Sequence, residues 1–342
     1  MRFVYQVVMV TLFFEIIGAI SIYFSTPDEL FTRKMDKFFF AVFHSISAFC
    51  NAGMSTLPLG LHEPVIKYNY TLYIFIAILV ILGGMGFPIV FNLSRYIKIK
   101  FLNLFFWISN SSKRIYFPRL INLNSRLALV VSTVLLVFGF FAFLIFEYDA
   151  SLRDHPTMKG KLVTSFIGSV MPRTAGFNFV DFTTISLPMI MVYLLLMWIG
   201  ASPGSTGGGI KTTTAGLAVL NMISVLKGKD RTEFFRSEIS HNSTRRAFAV
   251  IFMSLLFMGV ALFLVSINDS EKGLIKLAVE VFAAFSTAGF SLGITPDLSM
   301  LSKTTLMITM FVGRIGTVTI LVAFIRQTKT LHYRYPKEEI TL

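Results

Sequence analysis

Asn51-Ala52-Gly53-Met54-Ser55, Thr174-Ala175-Gly176-Phe177-Asn178 and Thr287-Ala288-Gly289-Phe290-Ser291 are three copies of one short phrase. Their glycines lie 123 and 113 residues apart. Each copy follows a short apolar stretch, at 38–50, 162–171 and 274–285, and sits between two long ones. The long segments are 4–24, 70–93, 127–146, 186–226 (interrupted), 247–266 and 304–325. A helix needs about 20 residues to cross roughly 30 Å of hydrocarbon, so the long segments span and the short ones reach only part of the way. The unit helix, half-helix, glycine loop, helix therefore occurs three times, and a repeat governs every other reading of the chain. The expected fold is an all-α polytopic membrane protein of three helix–pore-loop–helix repeats: 1–126, 127–246 (with the interrupted helix) and 247–342.

Composition agrees. The chain is 54% hydrophobic and 14% charged, against about 25% charged in soluble domains. Cys50 is the only cysteine, which excludes an intrachain disulfide framework and Cys-cluster metal sites. The first apolar run has no small-residue cleavage site and reads as a retained helix. Segment 91–126 carries seven basic residues (Arg95, Lys98, Lys100, Lys113, Arg114, Arg119, Arg126) and no acid; 227–246 carries six against three acids. Acids gather on the other side of the spans, at Asp28, Glu29, Asp36, Glu63, Glu147, Asp149, Asp154, Asp181, Asp269, Glu271 and Asp297. The positive-inside rule places 91–126, 227–246 and the tail 326–342 in the cytosol and lets the loops dip in from outside. The net charge of +13 then sits on separate cytosolic loops near anionic lipid and is no footprint for nucleic acid.

Non-helical backbone at membrane depth survives only where it lines water or is buried in protein. Glycine permits angles that turn successive carbonyls toward an axis, and such oxygens can replace the hydration shell of a potassium-sized cation. Each half-helix also aims its negative C-terminal end at the loop. Asn51, Ala52, Gly53, Thr174, Ala175, Gly176, Thr287, Ala288 and Gly289 are the candidate filter, with potassium held by backbone carbonyls and sodium as a second candidate ion. No covalent cofactor is called for. The alternative, three capping or packing glycines, has to explain the same placement three times.

The second helix of each unit carries glycine as well: Gly83-Gly84-Met85-Gly86-Phe87-Pro88 in the first and Gly313-Arg314-Ile315-Gly316 in the third. In the middle unit the interruption is longer, and helix cannot run through Pro203 and the glycines around it. Gly200, Ser202, Pro203, Gly204, Ser205, Thr206, Gly207, Gly208, Gly209 and Lys211 are the candidate gate below the filter, the alternative being a plain linker. Arg314, mid-helix, where an unpaired charge costs at least about 3 kcal/mol, reads as part of that gate. Glu15 and Glu280 read as structural partners of backbone or a basic group, Arg173 as a clamp on loop backbone, and His44 as a packing residue. Two enzyme motifs nearly match. Gly200-Ala201-Ser202-Pro203-Gly204 fits G-x-S-x-G, but of the five histidines only His44 could reach membrane depth to serve as a base. Gly209-Ile210-Lys211-Thr212 resembles a phosphate loop, but Ile210 breaks the required Gly-Lys.

The loops, Ile199-Gly200-Ala201-Ser202-Pro203-Gly204-Ser205-Thr206-Gly207-Gly208-Gly209-Ile210-Lys211-Thr212-Thr213-Thr214 and Phe311-Val312-Gly313-Arg314-Ile315-Gly316 resemble the Trk/Ktr/HKT superfamily of potassium transporters, above all its KtrB-type membrane subunit. The resemblance covers nearly the whole chain. It implies potassium uptake across the cell membrane, a homodimer in membrane lipid, and a cytosolic ring of nucleotide-binding regulatory subunits. It also implies an intramembrane gate at 200–211, with Arg314 beside it. That family builds its pseudo-fourfold pore from four repeats, and the three here match its second, third and fourth. The first is expected upstream of Met1, and the chain alone is expected not to conduct. A non-conducting truncated or regulatory membrane subunit is the alternative function.

Overall fold

The structure, a computed structural model, describes residues 2–108 and 121–316. In chain order it contains α1 (Arg2–Ser25), α2 (Lys34–Phe49), α3 (Tyr70–Met85), α4 (Phe87–Ile108), α5 (Leu123–Phe146), α6 (Met158–Val170), α7 (Leu187–Trp198) and α8 (Thr212–Leu226). A two-stranded hairpin follows, β1 (Glu233–Phe234) with β2 (Ser237–Glu238), then α9 (His241–Asn268), α10 (Leu274–Ser286) and α11 (Met300–Ile315). Basic residues Lys113, Arg114 and Arg119, the end of the 304–325 segment and the 326–342 tail lie outside the described residues.

Among the described residues three helices, α1, α5 and α9, are long and apolar enough to cross a membrane. Their outer faces leave large side chains such as Phe13, Phe141 and Phe263 exposed. In water such a surface would be a liability; against lipid it is the expected exterior. The half-helices α2, α6 and α10 have 16, 13 and 13 residues, about 20–24 Å at 1.5 Å per residue. On their inner faces they bury polar groups: His44, Ser45 and Ser47; Thr164, Ser165 and Ser169; Glu280 and Ser286. Side chains cap several helix starts, among them Thr157 accepting from the Gly160 amide at 3.1 Å and Asn69 accepting from Leu72 at 3.1 Å.

The order helix, half-helix, loop, helix occurs at α1–α2–α3, α5–α6–α7 and α9–α10–α11. Within a unit the first helix packs on the half-helix; between units α6 packs on α3 and α10 on α7. Each half-helix after the first thus leans on the closing helix of the unit before it. Aromatic rings fill the joint between the second and third units: Phe182 and Phe290 are 4.1 Å apart, and Tyr193 and Phe290 5.2 Å. Phe177 and Phe290, each one residue past a loop glycine, are fully or nearly fully buried and anchor their loops in this core.

The segment 70–93, read as one span, is not one. α3 stops at Met85, Gly86 takes φ +82°, and α4 leaves at 105° to α3. Pro88 in the first turn of α4 fits a fresh helix start. α11 likewise stops before Gly316 at φ +98°, and α7 stops before Gly200. Two of the three second helices therefore end at a positive-φ glycine, and α7 ends at Trp198 with Ile199 between it and Gly200.

Candidate ion pore

The three loops have one backbone pattern. Asn51, Thr174 and Thr287 have φ of 52°, 149° and 53°, and Gly53, Gly176 and Gly289, two residues on, have 67°, 66° and 73°. The alanine between is not in the positive-φ region. Alternation of this kind turns successive carbonyls to one side of the chain, which is what a carbonyl-lined ion path requires. Each loop hangs from the C-terminal end of its half-helix. The Ala52 amide donates to Ser47 O at 2.8 Å, Ala175 to Met171 O at 3.0 Å and Ala288 to Ala283 O at 2.9 Å.

Neighbouring loops touch backbone to backbone. A Cβ added to Gly53 would lie 1.9 Å from Ala175 O, and one added to Gly176 would lie 1.9 Å from Ala288 O. At Gly289 an added Cβ meets nothing within 4 Å. The loops thus follow one another in sequence, first against second against third. Asn51 ties the first pair through its side chain. In the amide orientation that satisfies both ends, it accepts from Thr174 Oγ1 at 3.0 Å and donates to Val80 O and Ala48 O at 3.1 and 3.0 Å.

The interrupted stretch lies against these units: of three consecutive residues, the first reaches the end of the first half-helix and the next two reach the second and third loops. Thr206 Oγ1 is 3.5 Å from Phe49 O, at the end of the first half-helix. A Cβ on Gly207 would lie 2.6 Å from Thr174 Cγ2. The Gly208 amide donates to Thr287 Oγ1 at 3.1 Å. The stretch is also hooked to the broken end of α3. Ser202 N donates to Gly84 O at 3.0 Å, Thr206 N to Gly83 O at 3.4 Å, and Phe87 N to Gly204 O at 3.1 Å. From the other side the Arg314 guanidinium donates to Thr206 O. Lys211 Nζ donates to Gly207 O at 2.7 Å. Pro203 O lies against Gly86, where a Cβ would come within 2.4 Å. Ile199 and Ile210 close the base of the stretch as an isolated bridge, with Ile210 N donating to Trp198 O at 3.1 Å. The 200–211 stretch, including Ser205 and Gly209, is thus strung between the first and third units.

Single positions differ in outcome. Arg173 does not clamp loop backbone. It reaches away to α5, donating to Ser132 O and Oγ at 3.3 Å each. Glu15 faces Cys50 Sγ at 3.8 Å rather than a basic group. Glu280 faces hydroxyls, with Ser291 Oγ and Thr295 Oγ1 as donors. His44 is buried and both ring nitrogens are bonded, to Phe40 O and Ser55 Oγ at 2.9 Å each. Ser202 is paired with Thr212 Oγ1 at 3.1 Å rather than with a histidine. Among the described residues no three His, Cys, Asp or Glu side chains group as a metal site. The hook of the 200–211 stretch on Gly83 O and Gly84 O was not legible in the sequence. Its only trace there is the glycine-rich end of the second long segment.

Residues 2–333 match the family described as "TrkH: Cation transport protein". The chain is 32% identical over 333 residues to the potassium/sodium uptake protein NtpJ of Enterococcus hirae, covering 96% of this chain and 69% of that protein. It is 33% identical over 303 residues to the Ktr system potassium uptake protein B of Bacillus subtilis, covering 88% of this chain and 63% of the relative. The crystal structure of the potassium transporter TrkH from Vibrio parahaemolyticus shares the fold, with a TM-score of 0.70 at 18% identity over 95% of this chain and 65% of that one. The chain thus spans between 63% and 69% of the length of these three proteins.

Proposed function

Because the chain belongs to the TrkH family of cation transport proteins, we propose that it forms the channel-like core of a potassium uptake protein in the cell membrane. Gly53, Gly176 and Gly289 with the residues before them serve as the filter, and 200–211 with Arg314 as the gate. The observation that supports this reading is the succession of three loops with positive φ at matching positions, with one non-helical stretch set against the end of the first half-helix and against the second and third loops. The family is one of transporters, not enzymes, so the serine-hydrolase and phosphate-loop readings fall away. The units 1–126, 127–246 and 247–342 are then three walls of the pore, with basic loops and C-terminus on the cytosolic side. Three relatives carry the name of the Ktr system, which supports a multi-component assembly. A homodimer with a nucleotide-binding ring on the basic face belongs to the same proposal.

One observation favours the runner-up, a non-conducting membrane subunit: among the described residues, nothing lies within 4 Å of where a Cβ on Gly289 would stand. Potassium uptake decides between them. It is measured in cells lacking their own uptake systems and expressing the natural protein that contains these residues. Gly176→Ser is expected to weaken potassium affinity or selectivity while the protein still inserts, because its Cβ would collide with the Ala288 carbonyl. Unchanged uptake kinetics would remove Gly176 from the filter. No uptake by the folded, inserted wild type would favour the runner-up.

A further inference from the structure

Counting nine residues back from each loop glycine gives His44, Ile167 and Glu280; counting two forward gives Ser55, Asn178 and Ser291. In the first and third units these positions are bonded to each other, side chain to side chain. The His44 ring meets Ser55 Oγ at 2.9 Å, and the Glu280 carboxylate meets Ser291 Oγ. The chemistry is matched although the residue types differ. His44 Nδ1 lies 2.9 Å from Phe40 O, an acceptor only, so Nδ1 carries the proton and Nε2 of the neutral ring accepts from the serine hydroxyl. Glu280 likewise accepts from Ser291, and Thr295 Oγ1 closes the group at 2.9 Å from both carboxylate oxygens. Each serine in turn accepts from the amide two residues on, Leu57 at 3.1 Å and Gly293 at 3.0 Å. Helix, hydroxyl and outgoing backbone thus form the same three-part link twice.

The second unit does without it. Ile167 is apolar, and Asn178 is held by its carbonyl, which accepts from Leu61 N at 2.7 Å and His62 N at 3.1 Å. The outgoing limb of every loop is therefore tethered, twice by a side chain of its own half-helix and once by the neighbouring unit. The third loop depends most on its link. A 310 Å³ cavity lined by Glu280, Gly289, Ser291 and Thr295 lies beside it, and no loop abuts Gly289.

We propose that His44 and Glu280 are equivalent positioning residues, each fixing the outgoing limb of its loop, and so the angle of the loop carbonyls, through the serine two residues past the glycine. This rests on the filter reading of the loops; the link itself can be measured without it. Carbonyl geometry sets ion discrimination in such a loop, so the link governs selectivity without touching the ion. The rival role for Glu280 is a charge that attracts cations to the mouth. Glu280→Gln separates the two, since it keeps an acceptor oxygen and removes the charge.

The test is hydrogen exchange by mass spectrometry on the full chain in lipid nanodiscs, with potassium or sodium present. Glu280→Ala is expected to speed exchange over 288–293 about tenfold, the factor for one hydrogen-bonded link, with 51–57 unchanged. Ser291→Ala should do the same, the double variant no more than either single, and Glu280→Gln should stay within about twofold of wild type. His44→Ala should speed 51–57 and leave 288–293 alone. Glu280→Ala is also expected to raise the potassium concentration needed to protect the loops. Should Glu280→Ala not fold, Ser291→Ala carries the same test by removing only a hydroxyl. Exchange unchanged in the alanine variants, or Glu280→Gln behaving as Glu280→Ala, overturns the proposal. Absence of potassium protection in the wild type contradicts the filter reading instead, and the exchange rates in the variants still decide the link.

Discussion

Gly53 and Gly176 each lack a side chain for two separable reasons. Their φ of 67° and 66° disfavours any L side chain, a cost of about 1–2 kcal/mol. The carbonyl of the next loop also occupies the space a Cβ would take. Gly289 has only the first reason. The repeated phrase pointed to all three glycines, but this difference is invisible in it, because it depends on which loop follows which in space. His44 and Glu280 were legible only as buried polar positions. Their partners lie 11 residues away, across a loop that no helical periodicity joins. Outside the pore, His155 in the connection between α5 and α6 is buried between Tyr70 Oη at 3.1 Å and Thr164 Oγ1 at 3.2 Å. Burial first, and then the nearby Lys67 charge, push its pKa down to about 4. The folded state therefore binds fewer protons than the unfolded one below about pH 6.5, the ordinary value. Stability is expected to fall as pH drops from about 6.5 to about 4, and His155→Gln to flatten that slope. Thermal denaturation of the two proteins across this range checks it; parallel slopes would show that His155 is not the group responsible.

At the scale of elements, hydropathy located every half-helix and first helix and failed at α3. Residues 70–93 are apolar throughout, and composition cannot register a backbone that turns at Gly86. The turn has a use. Ending α3 there frees the carbonyls of Gly83 and Gly84, which would otherwise accept within the helix, and the 200–211 stretch donates to both. The same stretch is gripped by Arg314 on one side and by Thr287 on another. A plain linker has no reason to bond to three units at once. Deleting most of 202–209 in the four-repeat protein that contains these residues is therefore expected to raise potassium flux and reduce its dependence on a regulatory partner. Arg314→Ala, which releases the Thr206 carbonyl and removes a positive charge near the path, should act in the same direction. Tracer uptake into proteoliposomes at matched protein quantity, with and without the partner, provides the comparison. Flux that falls or stays level on deletion, in folded protein, would make the stretch a linker.

For the molecule as a whole, the triplicated phrase and the hydropathy pattern made the multi-pass helical architecture legible, because lipid leaves helices as the available solution for such segments. The order in which the units lean on one another was not legible. It depends on α6 meeting α3 and α10 meeting α7, contacts between residues remote in sequence. Nor was the small hairpin at 233–238, whose turn places Phe235 and Arg236 at positive φ without glycine. On the proposed reading the three glycine loops together hold a dehydrated cation. Anomalous diffraction from crystals of the protein grown in a rubidium salt tests it most directly. The account predicts a rubidium peak between the loops, within coordinating distance of the carbonyls around Gly53, Gly176 and Gly289, and its loss in Gly176→Ser. Rubidium bound elsewhere in the protein, with no peak between the loops, would contradict it.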